Sequence, residues 1–387
     1  MHAEHCPWDL IQTGEKGTPL LFPVCEGVPA FGKEGNFMTG GFLRGRARMS
    51  NNEWSIPYLH YIPGPSSFIE MMRGALKAVQ QCAGVKKGEK VVISTDTNKM
   101  RIAEALAAAA AGVGAIPIIV VITPPGVHGA QPPSPVVAAC AKADVFFLPT
   151  TYSQTHTDAR IQAIQNGARG ATMCEVTEDA LCTGAIHADY EECDRLGRRL
   201  GAILAESKTV RITSPLGTDL RGEVAGRPVQ YETGLFREPG QFAAFPDSEI
   251  NISPVEGSVE GRAVIDVRVM SVGVTAAEPI TLVIKQGEIK DIQGGPLALK
   301  FRQILEALEN PQAYNFAEFG IGLNPCSRLC ATNLEDLGRL GSAHCGIGSS
   351  YAIGGKVRAP NHIDAIFKDA VIEFDGRVVL DKGSLRV

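Results

Sequence analysis

The sequence lacks the features that mark several large classes of protein. It has no run that approaches the roughly 20 uninterrupted apolar residues of a membrane-spanning helix. Its 37 basic and 42 acidic residues form no block of like charge, which argues against a nucleic-acid-binding surface. The first residues lack the basic start and apolar core of a secretory signal. We therefore expect a cytoplasmic protein with no membrane and no nucleic acid among its partners.

Familiar catalytic and nucleotide-binding motifs are also missing. The sequence contains no Walker-type, His-Glu-x-x-His or Gly-x-Ser-x-Gly pattern, and its Gly-x-Gly pairs are incomplete as dinucleotide fingerprints. The ten cysteines are scattered and include no Cys-x-x-Cys pair. These absences argue against a nucleotide-binding enzyme and against a small disulfide-stapled fold.

The length of 387 residues is sufficient for two domains of ordinary size. Residues 1–65 are rich in glycine, proline and aromatic residues with little periodicity, so we predict an irregular N-terminal arm. Between residues 66 and 207, short apolar strands alternate with helical patterns, which predicts a parallel sheet covered by helices on both faces. From 208 to 387, strand patterns flank turn sequences, which predicts antiparallel hairpins. We predict an α/β protein whose parallel-sheet N-terminal domain precedes a strand-rich α+β metal-binding domain.

The most informative pattern in the second predicted domain is a histidine and an aspartate two residues apart. On a strand, His362 and Asp364 would share one face and aim at a single point. Further carboxylate and imidazole groups in this domain are Glu256, Glu318 and His344. Such a set suits zinc, manganese, cobalt or ferrous iron. The structural alternative is a core histidine hydrogen-bonded to a nearby aspartate.

The order of these residues resembles the metal-ligand series of the thermophilic aminopeptidase family, that of aminopeptidase T. The resemblance is carried by Pro254-x-Glu256, Glu318 before Gly-Ile-Gly, His344 with Tyr351 seven residues later, and His362-x-Asp364. It implies that these residues hold two divalent metal ions, with Glu318 or Asp364 as a bridge. It also implies a general base, for which Glu256 and Glu260 are the candidates, and a dimeric assembly. The connection between Tyr351 and His362 is shorter than in that family.

A second branch of the same superfamily, that of 2,5-dihydroxypyridine 5,6-dioxygenase, is similar to this sequence in other places. These places are residues 155–160, Glu318 to Pro325, Gly354-Gly355 and His362-Ile363-Asp364. That branch holds one ferrous ion with two histidines and one aspartate, so His362 and Asp364 would supply two ligands. The position of the other histidine falls at Glu318.

The likeness to the dioxygenase branch also concerns the side of the site where the substrate binds. The two histidines expected there after Pro239-Gly240 are replaced by Gln241 and Ala244. His156 is retained, which implies that an anionic or hydroxylated group is bound between the domains.

We predict a metalloenzyme that uses one or two divalent ions, zinc, manganese or cobalt, to hydrolyse an amide bond in a peptide or small cyclic compound. Glu318 in place of an imidazole gives a more anionic ligand set, which favours hydrolysis by a metal-activated water. The alternative is the oxygen-dependent opening of a hydroxylated N-heterocycle by ferrous iron. Glu256, Tyr351 and His156 are the predicted catalytic residues, and a homodimer is the predicted assembly.

Overall fold

The computed structural model describes residues 68–155 and 157–386. The arm predicted at residues 1–65 lies outside these ranges. Within them the chain forms one parallel sheet and two larger antiparallel sheets. The predicted α/β class, with a parallel sheet followed by a strand-rich region, is therefore confirmed. None of the helices in the described ranges has both the length and the apolar character needed to span a bilayer.

Five parallel strands form the first sheet. They are β1 (Lys90–Asp96), β2 (Ile116–Ile122), β3 (Val145–Leu148), β4 (Arg169–Thr172) and, later in the chain, β8 (Phe242–Ala244). Their order across the sheet is β2-β1-β3-β4-β8. The strands β1, β3 and β4 are buried along almost their whole length, as expected for a parallel sheet with both faces covered.

Helices precede and connect these strands, as the alternating pattern predicts. They are α1 (Phe68–Leu76), which continues as a π-helix over Lys77–Cys82, α2 (Met100–Gly112), α3 (Ser134–Cys140), α4 (Asp158–Gln165) and α5 (Tyr190–Glu206). The long helix α5 then leads from this region into the antiparallel sheets.

Eight antiparallel strands form the second sheet. They are β5 (Thr209–Thr213), β6 (Asp219–Glu223), β10 (Glu260–Ile265), β13 (Ile280–Lys285), β14 (Glu288–Gln293), β18 (Val371–Phe374), β19 (Arg377–Asp381) and β20 (Ser384–Leu385). Their order is β14-β13-β10-β6-β5-β18-β19-β20. The predicted hairpins β5–β6 and β13–β14 are both part of this sheet.

Seven antiparallel strands form the third sheet. They are β7 (Val229–Glu232), β9 (Glu249–Ile252), β11 (Arg268–Val269), β12 (Gly273–Val274), β15 (Phe316–Gly322), β16 (Ala343–Gly348) and β17 (His362–Phe367). Their order is β12-β11-β17-β16-β15-β9-β7. The helices α6 (Pro296–Glu306) and α7 (Asn333–Gly338) complete this part of the chain.

The two antiparallel sheets share one apolar core. Leu220 and Ile212 of the eight-stranded sheet belong to the same buried cluster as Ile250, Phe319 and Cys345 of the seven-stranded sheet. Successive side chains of a strand point to opposite faces, so this packing occupies one face of the seven-stranded sheet. The side chains of the opposite face do not belong to this apolar core.

The strand β8 joins the parallel sheet to the seven-stranded sheet. It lies within the predicted second domain, yet it pairs with β4 through Gly170 and Phe242 and so completes the parallel sheet. Only residues 245–248 separate it from β9. The carboxyl end of the parallel sheet therefore leads directly to the seven-stranded sheet, and the domain boundary at residue 208 remains a prediction.

Candidate metal centre

The second face of the seven-stranded sheet carries carboxylate and imidazole side chains in register. Gly320 of β15 pairs with His344 of β16, and Gly346 of β16 pairs with both Glu318 and Asp364 on its two sides. Residues that pair across neighbouring strands project from the same face. The register therefore brings together groups that are far apart in the sequence.

Glycines between these side chains make room for them. A methyl group at Gly346 would lie 2.6 Å from Cβ of Glu318 and 2.8 Å from the ring of His362. A methyl group at Gly320 would overlap the ring of His344. Because both positions are glycine, the polar side chains lie across the neighbouring backbone and approach one another.

A first group of ligand atoms is formed by Glu318, His362 and Asp364. Nε2 of His362 lies 2.8 Å from Oε2 of Glu318 and 3.3 Å from Oδ1 of Asp364. The other ring nitrogen, Nδ1, donates a hydrogen bond of 2.8 Å to the carbonyl oxygen of Ser349. This bond fixes the orientation of the ring and turns Nε2 toward the carboxylates, as outer hydrogen bonds do for metal-binding histidines.

A second group is formed by Glu249, Glu318 and His344. Nδ1 of His344 lies 3.6 Å from Oε2 of Glu249, and its Nε2 lies 3.6 Å from Oε1 of Glu318. Both distances exceed that of a good hydrogen bond. Glu318 thus belongs to both groups, with one carboxylate oxygen directed to each histidine.

The electrostatics of this face reflect a local excess of carboxylates. Burial would raise the pKa of Glu318, but the neighbouring imidazoles of His344 and His362 bring it down to about 2. Burial would lower the pKa of His344, but the charges of Glu249 and Glu318 raise it to about 9. The pKa of His362 is likewise raised well above its ordinary value, against the effect of burial, by Asp364 and Glu318. Without a metal, protonated imidazoles therefore balance part of the negative charge.

Further carboxylates surround the two groups. Burial, followed by the charges of Glu318 and Asp364, raises the pKa of Glu232 to about 7. The pKa values of Asp247 and Glu249 are raised well above the ordinary range, first by burial and then by neighbouring carboxylates. A divalent cation would relieve this repulsion between buried carboxylates.

The residues present fit a divalent metal ion. His344 is 1% exposed, Glu318 3% and Asp364 7%, so these groups are withdrawn from water. Oε2 of Glu249, Nδ1 of His344 and Oδ1 of Asp364 have no hydrogen-bond partner among the described residues. Buried polar atoms without partners cost stability, and their convergence here points to a ligand they would bind. Carboxylates with imidazoles suit zinc, manganese, cobalt and ferrous iron.

Glu256 occupies a place different from the predicted one. It belongs to neither group of ligand atoms in the described part of the chain. Its carboxylate forms an ion pair with Arg227 and accepts a hydrogen bond of 2.7 Å from the backbone N–H of Lys356. Arg227 also donates to the carbonyl oxygen of Gly354. The structure thus makes Glu256 an anchor of the loop between β16 and β17, because Arg227 and Lys356 already engage both of its oxygens.

Tyr351 also departs from the predicted role. It begins a short 3₁₀-helix, Tyr351–Ile353, in the loop that Glu256 anchors. Its side chain is 53% exposed, and the guanidinium of Arg358 lies 3.3 Å from the centre of its ring. It joins neither group of ligand atoms among the described residues.

The structure brings some of the other predicted site residues together and places others elsewhere. The structure brings Glu318, His344, His362 and Asp364 together, as the resemblance implies. Glu260 lies on β10 of the other antiparallel sheet, where its side chain accepts a hydrogen bond from Gln286. His156 lies outside the described residues, so its role remains a prediction.

Glu249 and Glu232 are not among the site residues that the sequence predicts. Glu249 alternates with apolar residues in Glu249-Ile250-Asn251-Ile252, and this strand is buried at every position. Polar residues at alternate positions of a short apolar strand were the available signal. Glu232 of β7 pairs with Glu249 across the sheet and therefore projects from the same face.

Comparison with known proteins identifies the family of the chain. Residues 70–387 match the family model of 2,5-dihydroxypyridine 5,6-dioxygenase, NicX. The chain belongs to this family. A member of it, 2,5-dihydroxypyridine 5,6-dioxygenase of Pseudomonas putida KT2440, is 27% identical over 194 residues. This alignment covers 47% of the chain and 55% of the relative, so the match spans little more than half of the relative's length.

Solved structures show the same fold. That of 2,5-dihydroxypyridine dioxygenase from Pseudomonas putida KT2440 has a TM-score of 0.70 at 20% identity and covers 84% of this chain and 99% of its own. AmpT from Thermus thermophilus has a TM-score of 0.60 at 15% identity and covers 83% of this chain and 100% of its own. The fold of the dioxygenase family is thus shared with AmpT, which agrees with the superfamily that the sequence resembles.

Proposed function

We propose that the chain is a metal-dependent enzyme that opens the ring of a hydroxylated N-heterocycle with dioxygen. Ferrous iron would be held by Glu318, His362 and Asp364. The observation that carries this proposal is the convergence of these three buried ligand groups in a member of the 2,5-dihydroxypyridine 5,6-dioxygenase family. Amide hydrolysis, the first choice from the sequence, therefore becomes the second candidate.

The ligand set supplies one imidazole and two carboxylates in its first group. When bound there, ferrous iron would offer open coordination positions to a ring hydroxyl and to dioxygen. His362 presents Nε2 because Ser349 holds its Nδ1, and Glu318 and Asp364 provide the negative charge that a divalent ion requires. The side chain of His362 is 26% exposed, so the site is open to substrate on this side.

The chain differs from the dioxygenase branch on the substrate side. The two positions where imidazoles are expected are Gln241 and Ala244. The side-chain oxygen of Gln241 accepts a hydrogen bond from the backbone of Glu238, and Ala244 is buried. These residues cannot donate or remove a proton as imidazoles do, which supports a ring substrate other than 2,5-dihydroxypyridine itself.

Two-metal hydrolysis of an amide bond is a second candidate because of one observation. The groups Glu318–His362–Asp364 and Glu249–Glu318–His344 share Glu318, and its two oxygens face different histidines. A carboxylate shared in this way is suited to bridge two ions about 3.5–4 Å apart, as in many two-metal hydrolases. Zinc, manganese or cobalt would then activate a water molecule.

The number of metal ions and the use of oxygen distinguish the two candidates. Protein purified without oxygen is loaded with iron, analysed for metal content and supplied with 2,5-dihydroxypyridine and its ring-substituted relatives in an oxygen electrode. We expect one iron per chain and oxygen consumption that disappears in His362→Ala. His187→Ala, which removes an exposed imidazole elsewhere, is the matched control and keeps the activity.

Hydrolysis predicts a different set of results. Two zinc or manganese ions per chain, release of amine from small cyclic amides or dipeptides, and no oxygen uptake by the iron-loaded protein would replace ring opening with hydrolysis. Loss of oxygen uptake in His187→Ala as well as in His362→Ala would contradict the placement of the site.

We also propose a small-molecule substrate and a homodimer. The segment 1–65 contains several aromatic residues but little sequence periodicity, so we expect these side chains to pack against a second copy of the chain. Light scattering would contradict it by giving a mass near the 41.2 kDa of one chain.

A further inference from the structure

Arg160 reaches from the parallel-sheet region toward the carboxylate-rich face of the seven-stranded sheet. It lies in the first turns of α4, and its guanidinium stacks over the ring of Phe242 in β8, 4.6 Å from the ring centre. Its Nε donates a hydrogen bond of 2.8 Å to the carbonyl oxygen of Thr155. These two contacts fix the plane of the guanidinium at the edge where β8 leads toward β9.

The remaining donors of this guanidinium have no acceptor among the described residues. Arg160 is partly buried, and burial lowers its pKa from the ordinary value, while the charge of Glu232 opposes this shift. Glu232 is also within electrostatic reach of Glu318, Asp364 and His344.

Phe242, on which the guanidinium stacks, lies two residues before Ala244, and Ala244 belongs to the same buried cluster as Ile366 of β17, two residues after Asp364. Arg160 is therefore a fixed positive group near the candidate metal centre, and its terminal nitrogens have no hydrogen-bond partner among the described residues.

The fork geometry selects the ligand. A guanidinium held in one plane binds a planar carboxylate through two parallel N–H···O bonds, an arrangement that a single hydroxyl or a neutral amide does not match. The substrate side of this chain also lacks the two imidazoles expected at Gln241 and Ala244, so recognition of the ring must rest on other groups.

We propose that Arg160 binds a carboxylate of the substrate, so that the chain acts on a hydroxylated N-heterocycle that carries a ring carboxylate. This inference rests on the proposed function for the ring and extends it to the substituent. Glu232 sets the strength of the interaction, because its negative charge near Arg160 opposes the entry of a second carboxylate.

Binding of two matched probes tests the inference without any turnover. Protein loaded with zinc, which does no redox chemistry, is titrated by calorimetry with pyridine-3-carboxylate and with pyridine-3-carboxamide. We expect the wild-type chain to prefer the carboxylate by at least about tenfold. In Arg160→Gln the carboxylate should bind about 10- to 100-fold more weakly, and the carboxamide should change little. Arg160→Lys should retain part of the preference because it keeps the charge without the fork.

A second variant leaves Arg160 in place and is expected to strengthen the binding of the carboxylate. At about pH 8, above the pKa of about 7 of Glu232, Glu232→Gln removes the competing charge and should tighten the binding of pyridine-3-carboxylate about three- to tenfold, with no effect on the carboxamide. Arg377→Gln, in β19 of the eight-stranded sheet, is the matched control and should leave both affinities unchanged.

The outcomes separate this inference from the proposed reaction. Equal binding of the two probes by the wild-type chain, an unchanged preference in Arg160→Gln, or an unchanged affinity in Glu232→Gln would overturn it. If Arg160→Gln does not fold, Arg160→Lys decides, because it keeps the charge and should lose part of the preference for the carboxylate. A preference for the carboxylate that depends on Arg160 supports the inference even where the oxygen electrode detects no reaction, since binding to the zinc-loaded protein needs no oxygen.

Discussion

The two faces of the seven-stranded sheet consist of the same strands but differ in how their atoms are satisfied. On the face toward the eight-stranded sheet, Ile250, Phe319, Cys345 and Ala365 are fully buried in a continuous apolar core. On the opposite face their sequence neighbours Glu249, Glu318, His344 and Asp364 are almost as buried. Burial therefore does not distinguish the structural face from the functional one.

What distinguishes the faces is the presence of polar atoms without partners. On the apolar face, each side chain that is removed from water stabilises the folded state. On the polar face, the buried atoms of Glu249, His344 and Asp364 that have no hydrogen-bond partner in the described part of the chain each cost about 1–3 kcal/mol. A metal ion bound at the polar face would offset this cost.

The largest effect should come from the apolar face. Phe319→Ala removes a fully buried ring that contacts Phe316, so we expect a loss of about 3–5 kcal/mol in the free energy of unfolding, measured in urea. The affinity for zinc should change by less than about threefold, because the ring points away from the metal ligands. Leu216→Ala, at a position that is mostly exposed, is the control and should cost less than about 0.5 kcal/mol. Weaker metal binding at unchanged stability would show that the two faces are not separate in function.

The second effect should come from the shared carboxylate of the polar face. Glu318→Gln keeps the shape of the side chain but removes its charge from both groups of ligand atoms. We expect the affinity for zinc, measured by competition with a chelator, to fall about 100-fold or more, which corresponds to about 3 kcal/mol. Glu260→Gln, on the eight-stranded sheet, should stay within about twofold of the wild type. Equal losses in the two variants would mean that the metal is bound elsewhere.

The pH dependence of metal affinity also separates the two faces, because the histidines and carboxylates lie on the polar face. Protons on His344 and His362 compete with a metal ion, since Glu249, Glu318 and Asp364 raise their pKa values, that of His344 to about 9. Metal affinity should therefore rise with pH, at least about tenfold from about pH 7 to about pH 8. Calorimetry in two buffers of different ionisation enthalpy should detect the released protons. Metal binding near neutral pH without proton release would contradict protonated histidines in the metal-free chain.

The metal-free protein should show the opposite trend. A histidine whose pKa is raised on folding stabilises the folded state fully below its ordinary pKa and loses this contribution as pH rises through the folded value. For His344 the window runs from 6.5 to about 9. Stability of the metal-free chain should decline across this window, while the metal-loaded chain should not decline.

The sequence predicted those parts of the site that depend on local periodicity. His362 and Asp364 lie on one face of β17 because strand side chains alternate, and this follows from their spacing alone. Helices and strands between residues 90 and 172 also follow from the alternation of apolar and helical patterns. Neither inference needs information about distant parts of the chain.

The parts that the sequence did not predict depend on pairing between distant strands. The strand β8 is three residues long and joins the parallel sheet only through its pairing with β4. Glu249 comes to the candidate metal centre only because Gly322 of β15 pairs with it. Glu256, a few residues later, had the better sequence resemblance but lies beyond the end of β9. Register between strands, which local sequence does not encode, decided which glutamate faces the histidines.

The smallest effect should separate a ligand from an anchor at Glu256. The loop between β16 and β17 contains Ser349, whose carbonyl oxygen accepts the hydrogen bond from Nδ1 of His362. Glu256→Ala frees the backbone N–H of Lys356 and the side chain of Arg227, and so loosens this loop. We expect the affinity for cobalt to fall only about three- to tenfold, less than for direct removal of an outer hydrogen bond to a ligand. The visible spectrum of the cobalt-loaded protein should broaden as the ring of His362 becomes less fixed.

The conservative variant decides how this result is interpreted. In Glu256→Gln the amide oxygen still accepts from Lys356, so the loop should keep its conformation and the cobalt spectrum should resemble that of the wild type. A loss of metal in Glu256→Gln as large as that in Glu318→Gln would instead make Glu256 a ligand, as the sequence predicts, and would require the loop to rearrange when metal binds. An intact spectrum would leave the metal to the polar face of the sheet and Glu256 to the loop that orients His362.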